Sequence, residues 1–307
     1  MGRHGFTASG RQRWRCWSCG RTGVRQRRDA QHRRWSLGFI RWLTESERLA
    51  VRARRSGVSV DTLQRRYRSS LAVMPEPRPV CLEPHAILVL DGTTVVRRQS
   101  VALIAMTPHR VVSWRLAVRE CFVEWSELLE TINGTPLVAV MDGQKGLEKA
   151  VQQRWPGVRV QRCIIHVHRQ AMAWLTQHPK TMAGAELRQI VRRLLMVGTK
   201  SDARRWQKDL DRWCHRHDAF LRERTPHPAE PRRWWYTHRK LRAVRSLLVN
   251  SAPALFIFLD VPRCPRTSNH LEGGINARLK DLGRCHRGIS NNKKHALVAW
   301  YLRSRQE

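Results

Sequence analysis

Two aspartates each follow a short apolar run and precede a glycine, a pattern that can place a carboxylate at an active site. Asp91 follows residues 86–90 (AILVL), and Asp142 follows residues 137–141 (LVAVM). Apolar runs of this length between turn signals predict buried strands. Parallel strands of an α/β sheet present functional groups at their carboxyl ends. Asp-Gly is also a common turn, so chemistry at either aspartate requires that further carboxylates converge on it.

Two cysteine-containing motifs supply residue types that bind metals. Cys16 and Cys19 form a C-x-x-C-G motif, and Cys163 and His166 form a C-x-x-H motif. A structural zinc ion needs four ligands, so each motif offers half a site. Because the sequence contains no second C-x-x-C, we do not expect zinc at Cys16 and Cys19 as the chain stands.

The segments around the two aspartates predict the elements that position them. Residues 100–106 and 110–118 read as strands, and residues 125–132 and 145–155 as helices. A further short strand runs into Cys163. The order strand-Asp, strand, strand, helix, strand-Asp, helix, strand matches an RNase H-like core. We therefore expect an α/β fold with a mixed five-stranded sheet and flanking helices. Residues 86–166 would form the first part of this core.

The remainder of the chain after this core reads as helical. In residues 167–262 apolar residues recur at helical spacing, over 185–196, 203–215 and 234–248, which predicts a long all-helical insertion. Residues 263–307 are predicted as C-terminal core helices that carry Glu272. Ser268 or Asn269 is a suitable N-cap for the first of them, and residues 291–303 form a closing helix.

The N-terminal part predicts a small DNA-binding region before a proline-rich linker. Residues 1–36 are a basic segment, residues 37–72 read as a helix-turn-helix, and residues 73–85 are the linker. Thr44 and Glu47 match a capping box, a turn surrounds Gly57, and Ser59 or Asp61 caps a second helix. That helix is the expected DNA reader and carries Arg65, Arg66 and Arg68. An ordinary surface pair of helices is the alternative.

The charge balance favours a polyanionic partner. The 307 residues contain 58 Lys and Arg against 24 Asp and Glu, a net charge of +34. A folded protein this basic repels itself unless it works against a polyanion, and double-stranded DNA is the partner that we expect. An arginine-rich composition without DNA binding is the alternative. Eight scattered cysteines and an arginine-rich N-terminus without an apolar segment predict a cytoplasmic, nucleoid-associated protein rather than a secreted or membrane protein.

In combination, these motifs resemble those of a DDE transposase. Asp91, Asp142, the C-x-x-H pair, the helical insertion and the T-x-N-H-x-E motif at residues 267–272 are similar to the Mutator-like enzymes of the IS256 family, IS1249-type group. The resemblance implies that Asp91, Asp142 and Glu272 are catalytic metal ligands. It also implies that the C-x-x-H pair and Asn269 are structural residues near the site, without zinc.

The resemblance extends to the N-terminal segment. The sequence around the C-x-x-C-G motif is similar to the second half of the zinc ribbon that such transposases carry. We therefore interpret residues 1–36 as a partial zinc-ribbon-like basic segment, and we expect the chain to begin inside the ribbon. Cys16 and Cys19 remain a possible partial zinc site on this interpretation.

The chemistry that the resemblance implies suits three carboxylates. Two Mg²⁺ or Mn²⁺ ions about 4 Å apart can activate an attacking oxygen and stabilise the leaving one. Such ions need only one or two carboxylates each, with water and phosphate completing their ligands. Water would act first and expose a 3′-OH, and that hydroxyl would then attack target DNA. An RNase H-like nuclease would stop after the first step.

Several further residues are candidates for DNA contacts. Trp234 or Trp235 would stack on an unpaired base, although core packing is the default role of tryptophan. Arg287, Lys293 and Lys294 would contact the DNA backbone, or else form a solvated basic surface. We expect a homodimer or larger assembly on DNA. A truncated or inactive transposase that only binds terminal repeats is the alternative function.

Overall fold

The computed structural model describes residues 1–24, 27–45, 47–230, 232–268, 270–286 and 288–306, with only the backbone described for 27–35 and 270–272. The chain divides into two compact units. One comprises Met1–Pro75 and Asp281–Ser304, and the other comprises Glu76–Lys280 and Arg305–Glu307.

The elements are numbered along the chain. The strands are β1 Gly2–Phe6, β2 Gln12–Arg15, β3 Thr22–Val24, β4 Val80–Cys81, β5 Ile87–Val96, β6 Ser100–Met106, β7 Val111–Ala117, β8 Ile132–Asn133, β9 Val138–Met141, β10 Arg159–Arg162, β11 Arg224–Pro226 and β12 Trp234–Tyr236. The helices are α1 Arg27–Glu45, α2 Leu49–Ser56, α3 Val60–Leu71, α4 Phe122–Glu130, α5 Lys145–Arg154, α6 Ile164–Leu175, α7 Met182–Leu194, α8 Lys200–Arg216, α9 Asp218–Arg222, α10 Arg239–Ser251, α11 Ala277–Cys285 and α12 Asn291–Ser304. A π-helical segment, His270–Asn276, leads into α11.

A five-stranded mixed sheet in the order β10-β9-β5-β6-β7 forms the centre of the larger unit. The first three of its strands along the chain, β5, β6 and β7, are antiparallel neighbours, whereas β9 and β10 run parallel to β5. Buried Trp125, Leu128 and Leu147 from α4 and α5 pack with the apolar residues of the strands. The predicted strand order and the mixed five-stranded sheet are therefore confirmed.

The first aspartate lies inside its strand, not after it as the sequence suggested. Asp91 pairs with Ile104 in the middle of β5, which continues to Val96. The β-branched residues after Gly92 favour extended backbone, and their pairing with β6 carries the strand through the Asp-Gly pair. Asp142, by contrast, directly follows β9 as predicted, and Gly143 has the positive φ of 82° that a tight turn favours.

The region after the sheet is mostly helical but includes a hairpin. Helices α6 to α10 enclose a core in which Trp206 and Trp213 are buried and donate to the carbonyls of Ile190 and Ala183. The prediction of an all-helical insertion is wrong at β11 and β12, which pair as an antiparallel hairpin. The aromatic residues of β12 favour a strand, so α10 begins five residues later than expected, at Arg239.

The predicted linker also contains one short element. Within residues 73–85, β4 pairs in parallel with β8, and the boundary between the two units lies at Pro75. The proline-rich part before β4 has no regular structure. Pairing of β4 therefore fixes the second half of the linker against the larger unit.

One stretch, Arg239–Leu259, has the length and the mean hydropathy (1.3) of a membrane span. Core helices of globular proteins meet the same criterion. Here Val244, Leu248 and Leu255 are fully buried in the helical core, and short 3-10 turns follow Ser251. The stretch therefore serves as a packing element of the larger unit.

The smaller unit contains a three-stranded antiparallel sheet, β1-β2-β3, and the helices α1, α2, α3 and α12. Cys16 and Cys19 lie in the turn between β2 and β3. Phe39 and Trp42 of α1 pack against Tyr67 of α3 with ring centroids 5.2 Å apart in both pairs. This aromatic cluster fixes α3 against α1.

The predicted capping box is wrong, whereas the predicted turn and second cap are present. Thr44 lies within α1, where its hydroxyl donates to the carbonyl of Ile40, a bond that threonine forms inside helices. Glu47 instead pairs with Arg55 at 2.8 Å. Gly57 ends α2 in the left-handed conformation, and the hydroxyl of Ser59 accepts from the amide of Thr62 at the start of α3.

Replacing Ser59 with alanine should destabilise the smaller unit by about 1 kcal/mol, because an amide at the start of α3 loses its acceptor. Thermal unfolding followed by circular dichroism would measure the change. Ser69→Ala is the matched control, since the Ser69 hydroxyl donates to a carbonyl within α3 and caps nothing. An equal loss of stability in both variants would contradict the capping role.

Candidate active site

The larger unit brings Asp91, Asp142 and His166 together at one edge of the sheet. A ligand atom from each residue lies within 4.8 Å of the others. Asp91 comes from the middle of β5, Asp142 from the end of β9, and His166 from the first turn of α6. Asp91 is buried and the other two are half-buried, so the cluster is open to solvent on one side. It is the one group of three or more candidate metal ligands found among the described residues.

The carboxylate of Asp142 is held by the turn that follows it. The amide of Gln144 donates to Oδ1 of Asp142 at 2.9 Å. The Gln144 side chain is itself fixed, because its Oε1 accepts from the amide of Leu147 at 2.6 Å and its Nε2 donates to the carbonyl of Glu120 at 3.0 Å. Gln144 thus caps α5 and orients Asp142 at the same time.

The carboxylate of Asp91 is held by its own strand and by the segment before α11. The amide of Gly92 donates to Oδ1 at 3.1 Å, and Nδ2 of Asn276 donates to Oδ2 at 3.2 Å. Asn276 is the last residue of the π-helical segment His270–Asn276, whose backbone also contains position 272. The segment that carries Glu272 therefore reaches Asp91 directly.

Three residues predicted from the sequence lie outside what the structure describes. Asn269 and Arg287 are not described, and Glu272 is described by its backbone alone. The role predicted for Glu272 as the third acidic residue accordingly stays a prediction.

The thiol of Cys163 connects α6 to the segment before Glu272. The amide and hydroxyl of Ser268 donate to Sγ of Cys163 at 3.3 and 3.4 Å, and the amide of Ile164 donates to the carbonyl of Arg266 at 3.1 Å. Cys163 is fully buried at the N-cap of α6. These contacts give Cys163 a structural role, because they join the start of α6 to the segment before Glu272.

Cys163 and His166 also influence each other's protonation. Burial acts to raise the pKa of the Cys163 thiol, but hydrogen bonds with His166 and Ser268 bring it below the ordinary value. The hydrogen bond with Cys163 is the main cause that raises the pKa of His166 to about 9, against the effect of burial, and the charges of Asp91 and Asp142 add to it. In the absence of a metal ion, a protonated His166 offsets part of the negative charge of the two aspartates.

Glu120 is a further carboxylate at the site that the sequence did not single out. Its carboxylate lies against Gly92, where an added methyl group would be 2.7 Å from Oε2. Trp125 donates to its Oε1 at 3.3 Å. Burial, followed by the charge of Asp142, raises the pKa of Glu120. Glu120 precedes α4 without an adjacent motif, so only its contacts with Gly92 and Gln144 in the folded chain reveal that it is close.

The donor set of the cluster fits a hard divalent cation. The two carboxylates suit Mg²⁺ or Mn²⁺, and the imidazole suits Mn²⁺ better than Mg²⁺, which prefers oxygen ligands. Asp91 and Asp142 would supply the oxygen ligands. Cys16 and Cys19 belong to no group of three or more candidate ligands in the described parts of the chain. The expectation about zinc at these two residues stays a prediction.

The predicted DNA-contact residues differ in exposure. Arg65 and Arg68 are exposed on α3, whereas Arg66 is half-buried. Lys293 and Lys294 are half-buried in the first turn of α12. All five side chains are at least partly accessible to solvent. Their role in DNA binding stays a prediction.

The two tryptophans proposed to stack on a base lie on the hairpin, not on a helix. Trp234 of β12 is 44% exposed, and the guanidinium of Arg224 lies 3.8 Å from its ring centroid. Trp235 is half-buried, with Arg239 at 5.9 Å from its ring. Of the two, Trp234 has the ring surface that is accessible for stacking.

Residues 79–225 match the model of a known family, Transposase, Mutator family. This segment includes the sheet, Asp91, Asp142 and the C-x-x-H pair, and it ends before Glu272. The Mutator-family match therefore covers the described part of the cluster.

Two transposases of insertion sequences are similar to parts of the chain. The transposase for insertion sequence element IS905 of Lactococcus lactis subsp. lactis (strain IL1403) is 32% identical over 99 residues, which cover 28% of this chain and 25% of the relative. A probable transposase for an insertion sequence element of Corynebacterium diphtheriae is 36% identical over 53 residues, 17% of this chain and 16% of the relative. The chain spans about a quarter or less of the length of these relatives.

Asp142→Asn should weaken Mn²⁺ binding by more than about tenfold, since even substitutions outside the ligand set often cause that loss. Isothermal titration calorimetry on the full chain would measure it. Asp260→Asn is the control, because Asp260 is an aspartate paired with Lys200 at 2.6 Å and Arg159 at 3.6 Å, away from the cluster. Equal Mn²⁺ affinity in wild type and Asp142→Asn would exclude Asp142 as a ligand.

Proposed function

We propose that this protein is a DNA transposase that cleaves the ends of an insertion sequence and joins the exposed 3′-OH to target DNA. The observation that carries the proposal is the cluster of Asp91, Asp142 and His166 at the edge of a mixed sheet, inside the segment that matches the Mutator family. On this proposal the sheet and its helices are an RNase H-like core, and the enzyme is of the DDE type.

Asp91, Asp142 and Glu272 would hold two Mg²⁺ or Mn²⁺ ions. Asn276 donates to Asp91, and position 272 is four residues earlier in the same helical segment. Residues four apart lie near each other on a helix, which supports Glu272 as the third carboxylate. When bound, divalent ions of this kind polarise the phosphate and lower the pKa of an attacking water or hydroxyl.

The chain's own residues keep these carboxylates ready for the ions. Gln144 orients Asp142, and Gly92 with Asn276 orients Asp91, so neither carboxylate must reorganise when DNA arrives. Preorganised groups of this kind contribute more to catalysis than groups that must first reorient. His166 adds positive charge beside both carboxylates before the metal ions bind, as its raised pKa indicates.

The smaller unit would bind the DNA ends. Its α3 follows a glycine turn and presents Arg65 and Arg68 three residues apart on one exposed face, which suits insertion into the major groove. Trp234 would stack on an unpaired base, and Arg287, Lys293 and Lys294 would contact the backbone. Such an enzyme would act as a homodimer or larger assembly, since two ends must be cut, and would work in the cytoplasm at the nucleoid.

The proposal is tested by incubating the full chain with Mg²⁺ or Mn²⁺ and DNA that carries the terminal inverted repeats flanking its gene. We expect joined strand-transfer products. Asp142→Asn should abolish them while retaining DNA binding, whereas Asp260→Asn should leave them intact.

Other outcomes would identify the rival functions. Nicked DNA without joined products would indicate an RNase H-like nuclease. A mobility shift without cleavage would indicate a truncated or inactive transposase that only binds terminal repeats. Cleavage that survives in Asp142→Asn would overturn the site assignment.

The role of α3 is tested separately. The double variant Arg65→Ala/Arg68→Ala should bind terminal-repeat DNA more weakly by at least about tenfold, because an arginine contact with a base is worth on the order of 1–3 kcal/mol. Mobility-shift titrations with terminal-repeat and unrelated duplexes would show whether discrimination falls as well. Arg54→Ala, an exposed arginine of α2, is the control, and an equal loss there would refute a special role for α3.

A further inference from the structure

Arg162 places a guanidinium group beside the acidic cluster, on the backbone of Gly143. It is the last residue of β10 and pairs across the parallel ladder with Met141, the residue before Asp142. A methyl group added to Gly143 would lie 1.4 Å from Nη1 and 1.6 Å from Cζ of Arg162. The guanidinium thus occupies the space that any other side chain at position 143 would fill.

One N–H group of this guanidinium has no acceptor in the described part of the protein. Its Nε is buried without a hydrogen-bond partner, and Arg162 forms no ion pair within the described part of the chain. Arg115 of the same sheet, by contrast, pairs with Glu124 at 2.6 Å and also with Glu127. A buried donor without an acceptor is unfavourable, so a ligand that supplies an acceptor to Nε would gain a favourable hydrogen bond.

The strand end that carries Arg162 is held rigidly. The neighbouring Gln161 is fully buried, its Nε2 donates to the carbonyl of Leu255 at 2.9 Å, and its Oε1 accepts from the amide of Phe258 at 3.0 Å. Helix α6 begins directly after its N-cap, Cys163, so the positive end of its dipole lies at the same strand end. A binding group fixed in this way loses little entropy when it meets its ligand.

We propose that Arg162, seated on Gly143, is a binding site for a phosphate of the DNA backbone next to the bond that is cleaved. The planar fork of a guanidinium matches two phosphate oxygens, and a phosphate oxygen would accept from the buried Nε–H of Arg162. The adjacent Asp142 would hold cations, which an anionic phosphate also approaches. This inference rests on the proposed function for the identity of the ligand as DNA.

Salt dependence of DNA binding tests the proposal without requiring cleavage. The full chain would be titrated against a fluorescein-labelled duplex of random sequence in Ca²⁺ buffer, by fluorescence anisotropy over a series of salt concentrations. The slope of log K against log salt is negative. Arg162→Gln should reduce its magnitude by about 0.9, the value for one phosphate contact. Arg162→Lys should keep the wild-type slope, because lysine keeps the positive charge. It should nevertheless slow the nicking of supercoiled plasmid in Mn²⁺, because lysine lacks the planar guanidinium that binds two phosphate oxygens.

Three further variants complete the design. Gly143→Ala should displace the guanidinium and reproduce the slope of Arg162→Gln. Arg222→Gln is the matched control, because Arg222 is an exposed arginine already paired with Asp218 at 2.8 Å, and its slope should equal that of wild type. Asp142→Asn should abolish nicking, and its slope of log K against log salt should equal that of wild type.

The results separate this site from the proposed function. An unchanged slope in Arg162→Gln, or an equal reduction in Arg222→Gln, would overturn the phosphate site. If the wild-type protein neither nicks nor joins DNA while Arg162→Gln still reduces the magnitude of the slope, the proposed activity fails and the phosphate site stands.

Discussion

The repulsion between Asp91 and Asp142 is the constraint on which the rest of the site depends. Two like charges about 4 Å apart repel by about 4 kcal/mol at an effective dielectric constant near 20, and the ligand atoms of these residues lie within 4.8 Å of each other. Donors to each carboxylate offset this cost, namely the amides of Gly92 and Gln144 and the side chain of Asn276. The imidazole of His166, with its raised pKa, supplies positive charge beside them.

The parallel pairing of β5, β9 and β10 is what brings these groups together. Val140 of β9 pairs with Val89 of β5 on one side and Gln161 of β10 on the other. The three strands therefore place Asp91, Asp142 and Arg162 at the same edge of the sheet. Because successive side chains of a strand point to opposite faces, a shift of one residue in either register would turn these side chains to the other face.

Local sequence patterns predicted most elements of the five-stranded sheet but not the contacts of the site. The apolar run before Asp142 predicts β9, and the glycine after it predicts the turn. At Asp91 the same pattern failed, since pairing with β6 outweighed the turn preference of Asp-Gly. The capping box at Thr44 failed for a similar reason, because its hydroxyl found an acceptor within α1.

The missed site residues share a different cause. Glu120 lies against Gly92, Gln144 donates to the carbonyl of Glu120, and Arg162 lies on Gly143, so these contacts join residues 19 to 28 positions apart. No spacing along the chain encodes that proximity. His166 was recognised as part of a motif, but its approach to both aspartates depends on where α6 leaves the sheet. Long-range placement of this kind follows from strand register, which a single sequence specifies only through the whole fold.

Helix α6 is a mechanical link as well as a structural one. Its first turn holds His166 at the acidic cluster, while Val167, Ala171 and Leu175 are buried in the core of the helical region. A helix of twelve residues is stiff over about 18 Å, so it transmits a tilt with little bending. A displacement of the helical core would therefore tilt α6 as a unit and move His166 relative to Asp91 and Asp142.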